Sequence, residues 1–431
     1  MRRLPEAYLE RMCAQLGKSE FAAYLAAIER APKRALRVNT LKASADEFCS
    51  LADFPLEPTD TSPECFLFGD DVAIGRHPLH TAGLCYVQEP SAQAPAELLD
   101  VRAGITVLDL CAAPGGKATQ LAAYMENTGL LIANEPVRSR AETLCGNLER
   151  LGIKNALVTC MRPDALAAVL PACFDSVLVD APCSGEGMFR KDETAVSEWS
   201  AEHVTACSLR QRQILDSAAH LLKPGGRLVY STCTFSCEEN EDTVEAFLAG
   251  HADFICMETR RLYPHTLPGE GQFMAALGKE NGGEAFSAFL ERPKTVRVSE
   301  WETFYRETFS GEVPEVLPLP DGRVFLPPEV LPQRMRGLRI LQAGVPAGEV
   351  RSGRFVPGHA LAMAFPAAAF QRSVALAGDP LERFLAGETV ACEPALSGWC
   401  AVTALGRPVG WGKAVNGVLK NHIPKGLRIF R

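Results

Sequence analysis

Long apolar runs are missing from this 431-residue chain, and none approaches the ~18 residues that a membrane-spanning helix needs. The opening stretch, MRRLPEAYLERMCAQL, has no apolar signal core and reads as an amphipathic helix, so neither secretion nor a membrane partner is expected. Regular cysteine spacing is missing as well, although there are fifteen cysteines. With the large size and the missing signal core, this makes reduced thiols in a cytoplasm a better fit than a disulfide framework, most of them acting as small buried hydrophobes. Cys233 and Cys237 are separated by three residues, but no second Cys/His pair lies at finger spacing, so no metal is expected. Acidic residues are missing from Pro394 to Arg431, where Arg407, Lys413, Lys420, Lys425, Arg428 and Arg431 are all basic.

The rest of the composition is that of a globular protein, with 47% hydrophobic and 22% charged residues, and the length calls for more than one domain. The net charge of −8 argues mildly against a nucleic-acid partner, but its distribution argues for one. The acid-free tail and the segment APKRALRVNTLK (31–42) are local basic faces on an acidic body, and phosphate contacts act within a Debye length. A solvated face with no partner accounts for such charge equally well.

Four parts are expected along the chain. Residues 1–80 hold helical stretches and the basic arm. Residues 81–290 alternate apolar strands with helical patterns, as in a parallel α/β sheet. Strands are expected at TVLDL (106–110), GLLIAN (129–134), ALVTC (156–160), DSVLVD (175–180) and GRLVYS (226–231), with KPGG ending the helix before the last of them. Residues 291–345 form a connector or small domain, and 346–431 a β-rich domain.

VLDLCAAPGGKATQLA (107–122) is a strand, a Gly-rich turn and a helix, a device that brings backbone N–H groups to a ligand. It is not a P-loop: Cys111 stands where that motif has its first glycine, and Ala118 follows Lys117 where Ser or Thr is required. Nor does APGGKA contain GxGxxG. A third ligand, S-adenosyl-L-methionine, fits a short Gly turn followed by an acid for its ribose at the end of the next strand, and LLIANEP supplies Glu135 there.

Two further strands each deliver a cysteine at their carboxyl end, where open α/β sheets bind ligands. SVLVDAPCSGEG (176–187) carries Asp180 and Cys183, and YSTCTF (230–235) carries Cys233. Two thiols beside a carboxylate suit methylation at carbon 5 of cytosine. That carbon becomes nucleophilic only when a thiolate adds to carbon 6, and the carbon 5 proton must leave before the thiol is eliminated. A carboxyl group on N3 stabilises the charge that builds during addition. This chemistry leaves open which cysteine attacks.

LDLCAAPGGKATQLA, VDAPCSGEGMFRKD (179–192) and YSTCTFSCEENE (230–241) resemble the signature motifs of the Nol/Nop/Sun family of RNA cytosine-5 methyltransferases. RALRVNTLK (34–42), HTAGLCYVQEPSAQAPAELL (80–99) and YPHTLPGEGQF (263–273) resemble further segments of its bacterial ribosomal RNA enzymes. GRFVPGHALAM (353–363) and GWGKAVNGVLKNHIPKGLR (410–428) resemble the PUA-like domain of the RsmF-type branch.

The resemblance implies an α/β, Rossmann-like core with a mostly parallel seven-stranded sheet, a helical N-terminal RNA-binding part and a β-rich PUA-like C-terminal domain. It implies Cys233 as nucleophile, Cys183 for product release and Asp180 as the holder of the cytosine. The cofactor loop would run through Cys111, Ala112, Ala113, Pro114, Gly115, Gly116 and Lys117, with Glu135 on the ribose, Arg140 near the cofactor and Asp164 as the nearest acid for the adenine. Lys117 and Lys191 take supporting roles. Gln272 stands where a histidine is expected, so the role of its loop stays open. The implied substrate is 16S ribosomal RNA within the small subunit, met by a cytoplasmic monomer. A transfer RNA methyltransferase and a non-catalytic assembly factor are the alternatives.

Overall fold

The structure is a computed structural model that describes residues 4–282 and 290–429. Arg431 and the stretch just before the expected boundary at 290 lie outside the described residues. The central sheet is built from β1 (Thr106–Asp109), β2 (Leu130–Asn134), β3 (Ala156–Thr159), β4 (Phe174–Asp180), β5 (Leu222–Thr232), β6 (Phe254–Leu262), β7 (Gln272–Lys279) and β8 (Ile340–Ala343), in the order β6-β7-β5-β4-β1-β2-β3-β8. β5-β4-β1-β2-β3 pair in parallel, while β6, β7 and β8 pair antiparallel at the two edges. β1 to β5 lie at the five expected positions, and β6 and β7, which the sequence patterns do not locate, bring the count to the seven that the resemblance implies. β8 is an eighth, supplied by the segment expected to be only a connector.

Alternation along each strand divides the core between two faces. Leu108, Ile132, Leu157 and Leu228 pack on one side, and Val107, Leu131, Val158 and Val229 on the other. The chain runs outward from β1 through β2 and β3, then returns to β4 on the opposite side of β1. That reversal makes a crevice at the carboxyl ends of the strands. The helix before β5 ends at Leu221, as KPGG predicts, but the tetrapeptide itself lies within the strand, which begins at Leu222 and shifts its register against β4 between Phe174 and Ser176 to absorb the extra residues.

Four helices border the site and its loops: α1 (Glu6–Ile28), α2 (Gly116–Tyr124), α3 (Arg138–Leu151) and α4 (Ala201–Leu221). α1 bends at Gly17, whose φ of +74° suits a residue without a Cβ. It packs Tyr8, Met12 and Tyr24 against Phe189, Trp199, Phe235 and Tyr263, next to the loops that carry the two cysteines.

The N-terminal part is more than helical. The strands Leu56–Pro58, Cys65–Phe68, Arg34–Val38 and Cys85–Val87 form an antiparallel sheet that crosses the expected boundary at 80/81. Likewise, Leu317–Pro318 and Arg323–Leu326 pair with Val345–Arg351 and Arg354–Pro357 across 345/346. A five-stranded sheet from residue 373 onward completes the C-terminal part. The two ends of the chain meet in one core, where Leu36, Phe68 and Leu84 join Phe384, Val402 and Leu419.

The basic arm faces inward, contrary to the expectation that it grips RNA. The buried Arg37 donates to Gln88 Oε1 at 3.1 Å, to the Gly116 carbonyl at 3.0 Å and to Thr119 Oγ1 at 2.8 Å. Lys42 Nζ donates to the carbonyls of Ala82 and Arg150, and burial lowers its pKa to about 7. Arg34 lies over the Phe68 ring and donates to the Val72 carbonyl. Lys33 alone of these basic residues is exposed. Replacing Arg37 with Met strands the acceptors it serves, and a loss of about 2–4 kcal/mol of stability is expected. A thermal melt checks this. An unchanged midpoint with weakened RNA binding would return Arg37 to the RNA face.

Candidate active site

A cavity of about 1060 Å³ opens at the carboxyl ends of the parallel strands. Cys111, Ala113, Glu135, Arg140, Asp164, Asp180, Cys183 and Cys233 all line it, so the fold brings most of the expected site residues together. Strand register explains the meeting of the thiols. β4 and β5 pair Asp180 with Ser231, so Cys183, three residues on, and Cys233, two residues on, emerge at one height. Their sulfurs are 3.1 Å apart, within hydrogen-bonding distance.

Asp180 is held by three donors. Its Oδ2 accepts from Lys117 Nζ at 2.8 Å, and its Oδ1 from Ser231 Oγ at 2.8 Å and Gln272 Nε2 at 3.2 Å. Gln272 thus has a partner in the site, and Lys117 serves the carboxylate as well as the turn. Burial works against the Lys117 charge, but Asp180 outweighs it and the ammonium pKa is raised, with Cys233 adding in the same direction.

The two thiols meet different fields. The contact with Cys233, burial and the Glu239 carboxylate push Cys183 well above the ordinary thiol range. The Lys117 ammonium interacts favourably with negative charge on Cys233. The two sulfurs are close enough to share one proton, and the Lys117 cation stands on the Cys233 side of the pair. This distinction is not readable from the sequence.

The cofactor side is narrower than expected. Of the turn, Cys111 and Ala113 line the cavity. The Ala112 N–H donates to the Asn134 carbonyl, and Pro114 has no N–H to offer. Gly115 and Gly116 instead permit close packing: a Cβ on Gly115, at φ +114°, would meet Leu144 at 3.1 Å, and one on Gly116 would meet Tyr86 at 3.2 Å. Glu135 is buried after β2 with one oxygen on the Val137 N–H at 2.9 Å. Arg140 forms an ion pair with Glu135 at 3.4 Å and donates to the Ala113 carbonyl at 3.0 Å, tying the acid to the turn. Asp164 is exposed at the mouth and bonds Arg162 at 2.7 Å.

Several residues were not legible as parts of the site. Buried Asp109, at the end of β1, is raised to about 8 by burial and by Asp180, against the pull of the Lys117 ammonium. Glu186 and Glu239 each accept hydrogen bonds from the loop opposite their own. Gly187 donates to the Cys233 carbonyl at 2.9 Å, and a Cβ there would stand 2.9 Å from that oxygen. Arg190 reaches Glu270 at 2.7 Å, beside Lys191 at 3.4 Å, for which a supporting role is expected, and Arg190 also reaches the Ala27 carbonyl at the end of α1. Among the described residues, no group of three or more His, Cys, Asp or Glu is arranged to hold a metal ion, and no helix is long and apolar enough to cross a membrane.

The Rossmann-like sheet and the Gly-rich turn after β1 suit an S-adenosylmethionine-dependent methyltransferase, and the known proteins that this chain resembles make the class an RNA methyltransferase. Models of protein families match in succession along the chain. They are the N-terminal domain of 16S rRNA methyltransferase RsmF over 4–90, 16S rRNA methyltransferase RsmB/F over 96–288, the RsmF rRNA methyltransferase first C-terminal domain over 303–365 and the methyltransferase RsmF PUA domain over 371–429. The chain is 34% identical to ribosomal RNA small subunit methyltransferase F of Serratia proteamaculans over 98% of its own length and 96% of that protein. The namesake from Aliivibrio salmonicida is 33% identical over 98% and 97%. A solved methyltransferase homologue from Pyrococcus horikoshii is 28% identical with a TM-score of 0.54, covering 64% of this chain and 100% of that one. The chain belongs to the RsmF family of 16S rRNA methyltransferases, the branch its motifs resemble.

Proposed function

We propose that this chain methylates carbon 5 of a cytosine in 16S ribosomal RNA, within the small subunit, through a covalent adduct between Cys233 and carbon 6. The observation that carries this reading is the 3.1 Å contact between Cys183 and Cys233 in one cavity with the Lys117-held Asp180. The target base must leave its stack to enter such a cavity. Asp180 then holds the pyrimidine edge, and Cys233, favoured as the thiolate by Lys117, adds to carbon 6. When bound, S-adenosyl-L-methionine supplies the methyl group for carbon 5 as a sulfonium electrophile. Water in the cavity takes the carbon 5 proton, the C–H electron pair restores the ring double bond, and the carbon 6–sulfur bond breaks with its electron pair returning to Cys233. Cys183 is the residue required at that stage.

The donor set fits the cofactor. Glu135 presents a buried carboxylate to ribose hydroxyls, Pro136, Val137 and Pro163 form an apolar wall for an adenine, and Asp164 stands at its edge. The exposed lysines of the acid-free tail, Lys420 and Lys425, suit RNA phosphates.

Adduct trapping tests the reaction. Cys183→Ala mixed with small-subunit RNA and S-adenosylmethionine is expected to give a protein–RNA band on a denaturing gel, and Cys183→Ala/Cys233→Ala no band. A band from Cys233→Ala alone would reverse the two roles. If no variant gives one on naked RNA or on subunits, transfer RNA becomes the substrate to try. Failure there as well, with RNA binding retained, would leave an assembly factor.

A further inference from the structure

The two cysteine loops are braced by an exchange of buried carboxylates. Glu186, on the Cys183 loop, reaches across to the Cys233 loop, accepting from the Phe235 N–H at 2.8 Å and Ser236 Oγ at 2.6 Å, and it also takes Trp199 Nε1 at 2.8 Å. Glu239, beyond Cys233, reaches back. It accepts from the Ser184 N–H at 3.0 Å, from Ser184 Oγ and from Gln211 Nε2 at 2.8 Å. Gln211, on α4, donates at the same time to the Pro182 carbonyl at 3.0 Å. Ser184 and Thr234 close the gap with their hydroxyls 2.8 Å apart. The residues on both sides of Cys183 are thereby tied to one carboxylate and its amide partner. Neither glutamate lines the cavity, so their part in the chemistry runs through the cysteines.

We propose that Glu186 and Glu239 are positioning residues that hold the two thiols in contact, and that Glu239 positions Cys183 for the release stage of the reaction. The inference rests on the proposed reaction for its second half only, because the brace itself is a property of the free protein. Glu239 is fully buried, and its charge acts on the thiols of Cys183 and Cys207, on Tyr230 and on Glu186. Each of these interactions disfavours a further anion nearby. A carboxylate at this place adds to the Cys233 contact and to burial in holding the proton on Cys183, while its hydrogen bonds keep that thiol against Cys233. A glutamine fills the same space, retains an acceptor for the Ser184 N–H and removes the charge.

Two readouts test this. The first uses Cys233→Ser, in which Cys183 is the remaining thiol of the pair. The pH dependence of its iodoacetamide alkylation is followed by peptide mass spectrometry with Glu239 present and with Glu239→Gln. The midpoint is expected to fall by about one pH unit on losing the neighbouring charge. The second uses Glu239→Gln with Cys233 intact. The Cys233–RNA adduct is expected to accumulate as it does in Cys183→Ala, while a single round of methyl transfer stays within a few-fold of wild type. Ser184→Ala removes the hydroxyl donor and keeps the charge, so the midpoint should not fall while the adduct should still rise, which keeps the positioning half of the test usable if Glu239→Gln folds poorly. An unmoved midpoint together with unchanged adduct would overturn the proposal. A shifted midpoint with no adduct on any RNA supports the positioning role and overturns the proposed reaction.

Discussion

Cys233→Ser is expected to lose methyl transfer by roughly 10⁴–10⁶-fold, the scale seen when an enzyme's nucleophile is removed. The fold should survive, because the Cys233 side chain is half-buried at the cavity and its backbone carbonyl, not its sulfur, takes the Gly187 N–H. A serine hydroxyl in the same place is far harder to ionise than a thiol, and the Lys117 charge cannot make up that difference. The comparison with Cys183→Ser is what makes the result specific. That variant retains the nucleophile and the cation, so it should complete one round of methyl transfer and then stall as an adduct. Single-turnover incorporation of labelled methyl into small-subunit RNA separates the two: none for Cys233→Ser, and one methyl per enzyme with no turnover for Cys183→Ser. Equal single-turnover yields from both would remove Cys233 from the role assigned to it.

Asp180→Asn is expected to lower the single-turnover rate by about 10²–10³-fold, as for other preorganised groups that meet developing charge. The substitution is nearly isosteric but wrong on both sides. Lys117, Ser231 and Gln272 all donate to the two carboxylate oxygens, and an amide can present only one acceptor to them. The Lys117 ammonium is left without its carboxylate, and the pyrimidine edge meets a group of the wrong charge. Affinity for RNA should change little, since most of it comes from phosphate contacts elsewhere. A double-mutant cycle with Lys117→Met gives the sharper test. If Lys117 acts mainly by holding Asp180, the double variant is no slower than Asp180→Asn alone. Rates that multiply would mean that Lys117 works on the Cys233 thiolate independently of Asp180.

Much of this site follows from the chain order alone. Each cysteine lies just past an apolar strand, and a parallel sheet delivers strand ends to one side, so Cys183 and Cys233 had to face the same crevice. The turn at 111–117 and Glu135 are likewise local, each written within a few residues of a strand end. Long-range packing settled what lies between these points. Glu186 and Glu239 sit among other acids in Gly-rich or polar loops, and nothing nearby marks them as buried. Their partners on the facing loop are 49 to 55 residues away and meet them only through the register of β4 against β5. Gln272 reaches Asp180 because β7 pairs antiparallel with β5, a neighbour that follows from sheet order rather than from any motif. Arg37 and Lys42 read as solvent-facing because basic residues usually are. They turn inward because the helix and loop carbonyls of the packed domains need donors there. The class of fold, the cofactor turn and the paired thiols were already set by the order of residues, since all of them depend on short-range pattern. What surrounds each thiol, which carboxylates bond the facing loops and how the two ends of the chain share one core came from packing, where burial sets the cost of each charge and register selects its partner.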